Sequence, residues 1–250
     1  MDNIYVQYSN YVENICLTKN LSNFKNNSNY TYMLEHVSKD QGKEYLELIL
    51  SKTNITEFEI IEFCAKNDSL GNPFKEVYNG YLSNISVSPT SLRYIYHTHL
   101  ILTHIKLTNK LNTDIIEVGG GYGGLCLAMY HFAPKYQVNI KSYKICDLNV
   151  IISLQKLYLN IVEPSLQVEF IDAINYGENI NSNDLFLISN YCFSEISKEK
   201  QDSYIKKLFP KVSHGFIAWN MIPVYNFGFY TRVEPEVPYT GNPMNRYVYF

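Results

Sequence analysis

Between Asp114 and Tyr130 the chain reads DIIEVGGGYGGLCLAMY, and five glycines fall within six residues. An apolar run, a glycine turn and a helical resumption let backbone N–H groups and a helix N-terminus approach a ligand closely. Two spacings coexist there. Gly119, Gly121 and Gly124 satisfy G-x-G-x-x-G, the spacing of a dinucleotide-binding turn. Glu117, Gly119, Gly121 and Gly123 satisfy E-x-G-x-G-x-G, and Gly120 belongs to the same cradle. In the second pattern a carboxylate closes the strand, where it suits the cationic end of a ligand and is awkward beside a pyrophosphate. Asp147 closes the next strand-like run, where an acid can accept two ribose hydroxyls at once; it can equally cap the helix that follows. Asp172 ends the third run, in reach of an adenine amino group or as a plain loop acid. Leu148 and Ala173, which follow these acids, and Asn190 at the end of the fourth run complete the candidate cofactor-binding set.

Two residues are candidate general bases. Glu195 sits just past the fourth strand-like run, or serves as a first-turn carboxylate favoured by a helix dipole. His97 shares a helix face with Arg93, Leu100 and His104, a stripe expected to turn toward a cleft or solvent unless His97 is a satisfied core histidine. Arg93, Tyr191 and Asn220 are the candidate substrate-binding residues, Asn220 because it ends the fifth run. His214 reads as structural. Paired carboxylates after the fourth strand and H-x-x-x-H spacing are both missing, so no metal site is expected.

These residues need a scaffold. From Asn112 onward strand-like stretches at 114–118, 142–147, 167–172, 184–190 and 214–220 alternate with helical ones at 125–132, 148–161 and 198–208. Such alternation predicts a parallel sheet with crossover helices, a Rossmann-like α/β fold. Residues 227–250 have no room for a helix, and Pro-Tyr-Thr-Gly-Asn-Pro between two strand-like runs predicts an antiparallel hairpin closing the sheet. The chain before this reads as helical. Thr56-Glu57-Phe58-Glu59 is a capping box, with Phe58, Ile60, Ile61 and Phe63 at helical spacing behind it. Ser88-Pro89 opens a helix over 90–108 that packs through Leu92, Ile95, Leu102 and Ile105. The Asn/Ser-rich patch at 20–29 reads as a solvated loop. The division expected is a helical N-terminal or cap segment, 1–110, and a Rossmann-like domain, 111–250.

Composition narrows the partners. A chain of 250 residues with 46% hydrophobic content can bury a core. Its net charge of −3 and short basic pairs such as Lys206-Lys207 disfavour a polyanion, so no nucleic-acid partner is expected. Five scattered cysteines without C-x-x-C suit reduced thiols in a cytosol-like compartment. The start, MDNIYVQYSN, lacks a signal-peptide pattern, and no apolar run approaches the ~18 residues of a membrane span. A cytoplasmic location is expected, the host cytoplasm if the A/T-rich codon bias behind its Asn, Ile and Tyr is viral.

IIEVGGGYGGL, YKICDLNVIISLQKLYL, DLFLISNYCFSEIS and GFIAWN, with the upstream SPTSLRYIYH, together resemble the sugar O-methyltransferase family of class I enzymes. The likeness covers roughly residues 88–220, and E-x-G-x-G-x-G is the spacing with which such enzymes hold S-adenosylmethionine. The resemblance implies a class I methyltransferase fold: a mostly parallel seven-stranded sheet ordered 3-2-1-4-5-7-6, with acceptor residues above the ends of strands four and five. It implies S-adenosyl-L-methionine as cofactor and O-methylation of a small molecule, a sugar or nucleotide-sugar, as in glycan biosynthesis. Asn149 stands where the family often has Pro, and the Tyr-rich C-terminus matches only loosely. There Tyr225, Phe227, Phe229, Tyr230 and Tyr239 could stack on a sugar ring, although 23 tyrosines in the chain favour plain core packing. Two alternatives stay open: an NAD-dependent oxidoreductase, although no Tyr is followed by Lys four places on, and a binding module without turnover. The oligomeric state is open too, a homodimer among the options.

Overall fold

Helices start where the sequence caps them. In a computed structural model, which describes residues 2–84 and 86–250, the N-terminal part carries α1 (Asp2–Thr18), α2 (Ser28–Thr31), α3 (Lys39–Lys52), α4 (Glu57–Asn67) and α5 (Pro89–Leu107). Complete capping boxes open α3 and α4, Ser38 with Gln41 and Thr56 with Glu59. Helix α4 buries Ile60, Phe63, Cys64 and Asn67, an i, i+3, i+4, i+7 stripe, while Phe58 is exposed. Phe58 lies two residues, about 200°, before Ile60 and so falls on the opposite face. Two short strands, β1 (Glu76–Val77) and β2 (Ser86–Val87), pair antiparallel.

Two expectations are corrected here. Residues 20–29 are only partly a solvated loop: Asn20, Ser22, Asn23, Asn26, Ser28 and Asn29 are exposed, whereas Leu21, Phe24 and Lys25 are buried, the last two in a 3-10 turn. The polar stripe of α5 does not face solvent. Arg93, His97 and His104 are buried, as are Leu92, Ile95, Leu102 and Ile105, whereas Lys106 and Leu107 at the end of the helix are exposed.

The alternating part folds as β3 (Asn112–Val118), α6 (Gly124–Phe132), β4 (Asn139–Asp147), α7 (Asn149–Val162), β5 (Val168–Asp172), β6 (Leu185–Asn190), α8 (Lys198–Lys207), β7 (Val212–Trp219), β8 (Arg232–Pro235) and β9 (Arg246–Tyr249). These strands form one sheet in the order β5-β4-β3-β6-β7-β9-β8. Renumbered within the sheet, that is the expected 3-2-1-4-5-7-6. Pairings among β3 to β7 are parallel, and β9 runs antiparallel to both β7 and β8. The C-terminal hairpin therefore closes the sheet as expected.

The chain packs as two units. Met1–Leu100, Gly121–Phe132 and Ser153–Leu166 form one; Ile101–Gly120, Ala133–Ile152 and Gln167–Phe250 form the other. The first unit has an aromatic interior in which Tyr122 meets Phe24, Tyr94 and Tyr158. In the second, Ile116, Val118, Leu187 and Trp219 from the strands pack with Phe193, Tyr204, Leu208, Phe209 and Phe227.

Candidate functional site

Strand β3 delivers Glu117 and Val118 to the carboxyl edge of the sheet, and the chain then turns through glycine alone at alternate positions. Gly119 (φ +77°), Gly121 (φ +56°) and Gly123 (φ +96°) are left-handed, whereas Gly124 is not. Backbone geometry thus follows E-x-G-x-G-x-G rather than G-x-G-x-x-G. Left-handed backbone is where only glycine is unstrained. Gly124, first residue of α6, is glycine for space, since a Cβ there would meet the Tyr94 and Tyr122 rings. A Cβ on Gly119 would lie inside contact distance of Cys192 Cβ and Sγ, so the segment after β6 rests directly on the turn.

The turn is tied to β4. Gly119 N–H donates to Cys146 O (3.0 Å), Gly120 N–H to Asp147 Oδ2 (3.0 Å) and Leu148 N–H to Asp147 Oδ1 (2.8 Å). These bonds fix the orientation of the Asp147 carboxylate at the end of β4. At the end of β5, Asp172 accepts Ile174 N–H (3.0 Å) and Asn149 Nδ2 (2.5 Å), with Ala173 and Ile174 in a 3-10 turn. The Asn149 side chain thereby bridges the ends of β4 and β5, a link that Pro could not make.

Glu117 is buried and accepts Tyr143 Oη–H (2.8 Å) from β4. Burial raises its carboxyl pKa to about 8; the Tyr143 hydrogen bond pulls the other way, and the charge of Asp147 adds to the rise. Held near 8, the carboxyl is mostly protonated at neutral pH, and a cation brought beside it would draw it back to the charged form. Glu117, the backbone at Gly119 and Gly120 and the Asp147 carboxylate fit S-adenosylmethionine, whose methionine end is cationic and whose nucleoside carries a ribose diol.

A second polar group stands at the adjacent strand ends. Asn190 closes β6, and Tyr191 leaves it in left-handed backbone (φ +62°), as Met221 (φ +66°) does just after β7. Non-glycine residues held there cost roughly 1–3 kcal/mol each and gather at functional sites. Glu195 lies in the turn before α8, not in the helix itself. Its Oε1 accepts Asn220 Nδ2 (2.6 Å), while Ser194 Oγ donates to Asn220 Oδ1 (2.5 Å) and accepts Asn220 N–H (3.0 Å). Tyr191 Oη–H donates to Glu236 Oε1 (2.5 Å), and the other oxygen of that buried carboxylate accepts Thr240 Oγ1 and Asn245 Nδ2 (2.9 Å). Glu195, Asn220 and Tyr191 thus share one sheet edge with Ser194 and Glu236. Sequence reading missed those two. Ser194 stands inside NYCFSE, where a hydroxyl before the acid was a usable signal; Glu236 is placed by the hairpin, and nothing near it in sequence marks it.

Arg93 and His97 belong to the first unit. Arg93 Nη2 donates to Leu34 O (3.0 Å). His97 meets the Tyr45 ring edge-on, and burial, with Arg93 nearby, drives its imidazole pKa well below the usual value. It is a neutral core imidazole. Of the aromatic tail, Tyr225 and Phe227 pack on Trp219, whereas Tyr230 and Tyr239 are exposed.

No family model matches the chain, and no curated protein matches it. Solved structures do. An S-adenosylmethionine-dependent methyltransferase from Clostridium acetobutylicum ATCC 824 is 15% identical over 49% of this chain and 49% of its own, with a TM-score of 0.40. CalS10, an amino pentose methyltransferase from Micromonospora echinaspora solved with S-adenosylmethionine bound, is 9% identical over 56% of this chain and 57% of its own (TM-score 0.41). Mitomycin 7-O-methyltransferase MmcR is 13% identical over 64% of this chain and 56% of its own (TM-score 0.42). The chain spans about half the length of the structures it matches.

Proposed function

We propose that the chain is an S-adenosylmethionine-dependent O-methyltransferase whose acceptor is a small-molecule hydroxyl, that of a sugar or nucleotide-sugar. One observation carries the reading: the alternating left-handed glycines between buried Glu117 and α6, with the Asp147 carboxylate fixed on Gly120 N–H. The sugar acceptor rests on the resemblance of residues 88–220 to the sugar O-methyltransferase family. When bound, the donor supplies an activated methyl group on a sulfonium. Gly119, Gly120, Gly121 and Gly123 cradle its backbone-facing side, Glu117 receives its cationic end, and Asp147 with Leu148 takes the ribose. Asp172, Ala173 and Asn190 border the adenine.

Much of the remaining work is alignment of oxygen, carbon and sulfur. The Glu195 carboxylate, which Asn220 Nδ2 holds in orientation, would take the proton of the acceptor hydroxyl as methyl transfer proceeds. Burial of His97 in the first unit makes Glu195 the better base. Tyr191 and Asn220 orient the acceptor. Among the described residues no helix is long and apolar enough to cross a membrane.

Single-turnover methyl transfer from labelled donor to a nucleotide-sugar panel tests this. Glu195→Gln should lower the rate roughly 10²–10⁴-fold and leave donor affinity within about twofold. His97→Asn should keep the rate and lose stability, and a chelator should change nothing. A near-normal rate in Glu195→Gln would exclude it as the base.

A further inference from the structure

Beyond the bonds that tie Gly119 and Gly120 to β4 and the Gln155 Nε2 bond to Gly121 O (2.9 Å), the one side chain the turn itself carries between Gly119 and Gly124 is Tyr122. Glycine loses more conformational freedom on ordering than any other residue, so the anchoring of that ring adds to how well the turn is fixed. Tyr122 is completely buried in the first unit, together with the other residues that grip it. Lys25 is buried too, its Nζ 4.0 Å from the Tyr122 ring centroid, 4.6 Å from that of Tyr158 and 5.7 Å from that of Phe24. The same ammonium donates to Asn67 O (2.6 Å) and Tyr158 Oη (3.3 Å). Asn67 Nδ2 donates to Tyr122 Oη (3.0 Å) and Ser91 Oγ (2.7 Å), and Ser91 Oγ–H continues to Asp68 Oδ1 (2.6 Å).

Burying an ammonium is costly unless its protons and charge are matched. Burial brings Lys25 down to about 8, with Glu35 and Asp68 opposing the drop and Lys75 adding to it. The place is nonetheless built for it. Lys25 N–H donates to Gly71 O (2.9 Å), and Gly71 is left-handed (φ +92°) with Phe24 and Lys25 within 2.7 Å of where a Cβ would stand. A desolvated cation over an aromatic face is attracted by the ring, and the nearest of the three rings belongs to the glycine turn.

We propose that Lys25 is a positioning residue for the glycine turn: its caged ammonium pins the Tyr122 ring and thereby preorganises the backbone amides that receive the donor. The proposal rests on the donor reading above. Two measurements on the full chain test it, amide exchange without ligand and calorimetry with S-adenosylhomocysteine as the probe. Lys25→Met and Tyr122→Leu should speed exchange of amides 119–124 about tenfold or more while β6 and β7 amides keep their rates. Both should weaken S-adenosylhomocysteine about tenfold, and the double variant no further than the worse single one. Tyr122→Phe, which keeps the ring, should stay within about threefold of wild type. If Lys25→Met fails to fold, the contrast between Tyr122→Phe and Tyr122→Leu carries the test alone. Exchange that rises equally everywhere, turn amides that do not respond, or affinity that holds despite a loosened turn would each overturn the proposal. A wild-type protein with a protected turn that binds no S-adenosylhomocysteine would instead defeat the donor reading, and this proposal with it.

Discussion

Glu117 reaches the carboxyl edge of β3 in a dry environment, with Tyr143 Oη–H as the hydrogen bond it accepts from β4. Its carboxyl is raised from an ordinary 4.5 to about 8. A carboxyl raised in the fold contributes stability that is full below the unfolded pKa and lost as pH rises toward the folded one. Glu117→Gln keeps an acceptor for Tyr143 and removes the charge. Thermal melts should therefore find the variant more stable than wild type at pH 8.5 and nearly equal at pH 5, with donor affinity reduced. A variant less stable at both pH values would mean that the carboxyl is not strained by burial. Asp147→Asn should weaken the donor about tenfold or more, the loss of a charge-assisted contact worth roughly 1.5–3 kcal/mol, while stability changes little. Loss of stability with affinity retained would make Asp147 a helix cap only. Both acids were legible in the sequence because each ends an apolar run before a turn or helix. Lys25 and Glu236 were not, since their partners lie far along the chain: Tyr158 is 133 residues from Lys25, and Tyr191 is 45 from Glu236.

Among the elements, the turn and the segment after β6 constrain each other. Gly119→Ala must overcome both left-handed backbone and the Cys192 side chain and backbone against it. It should cost about 2–4 kcal/mol in urea unfolding, the sum of strained backbone and overpacking. Gly123→Ala meets only the flexible Leu159 side chain, at 3.1 Å, and should cost about 1–2 kcal/mol. The reverse ranking would contradict the Cys192 contact. Strands were legible as apolar runs, with boundaries off where pairing extends them: β4 begins at Asn139 because residues 139 and 140 pair with Asn112 and Thr113 of β3. For helix α5 the sequence left cleft, solvent and core open for the polar stripe, and Arg93, His97 and His104 are buried. Arg93 is matched by Leu34 O, and a sequence does not display a partner 59 residues away. In the patch at 20–29 the exposed Asn and Ser residues were legible, but their polar content hid three buried side chains, Leu21, Phe24 and Lys25.

For the whole molecule, alternating strands and helices made a parallel sheet with crossover helices legible, whereas the strand order came only from the resemblance to class I methyltransferases. The two units were not legible, because Gly121–Phe132 and Ser153–Leu166 join the first unit through contacts that no local pattern announces. A ligand that binds only the folded chain should also stabilise it, so saturating S-adenosylhomocysteine should raise Tm. The central claim is that the carboxyl edge of β3 and β4 holds S-adenosylmethionine. Calorimetry of the intact chain against S-adenosylhomocysteine and NAD tests it most directly. The prediction is one-to-one binding of S-adenosylhomocysteine, weakened about tenfold or more by Asp147→Asn, and no heat with NAD; saturable binding of NAD with none of S-adenosylhomocysteine would contradict it.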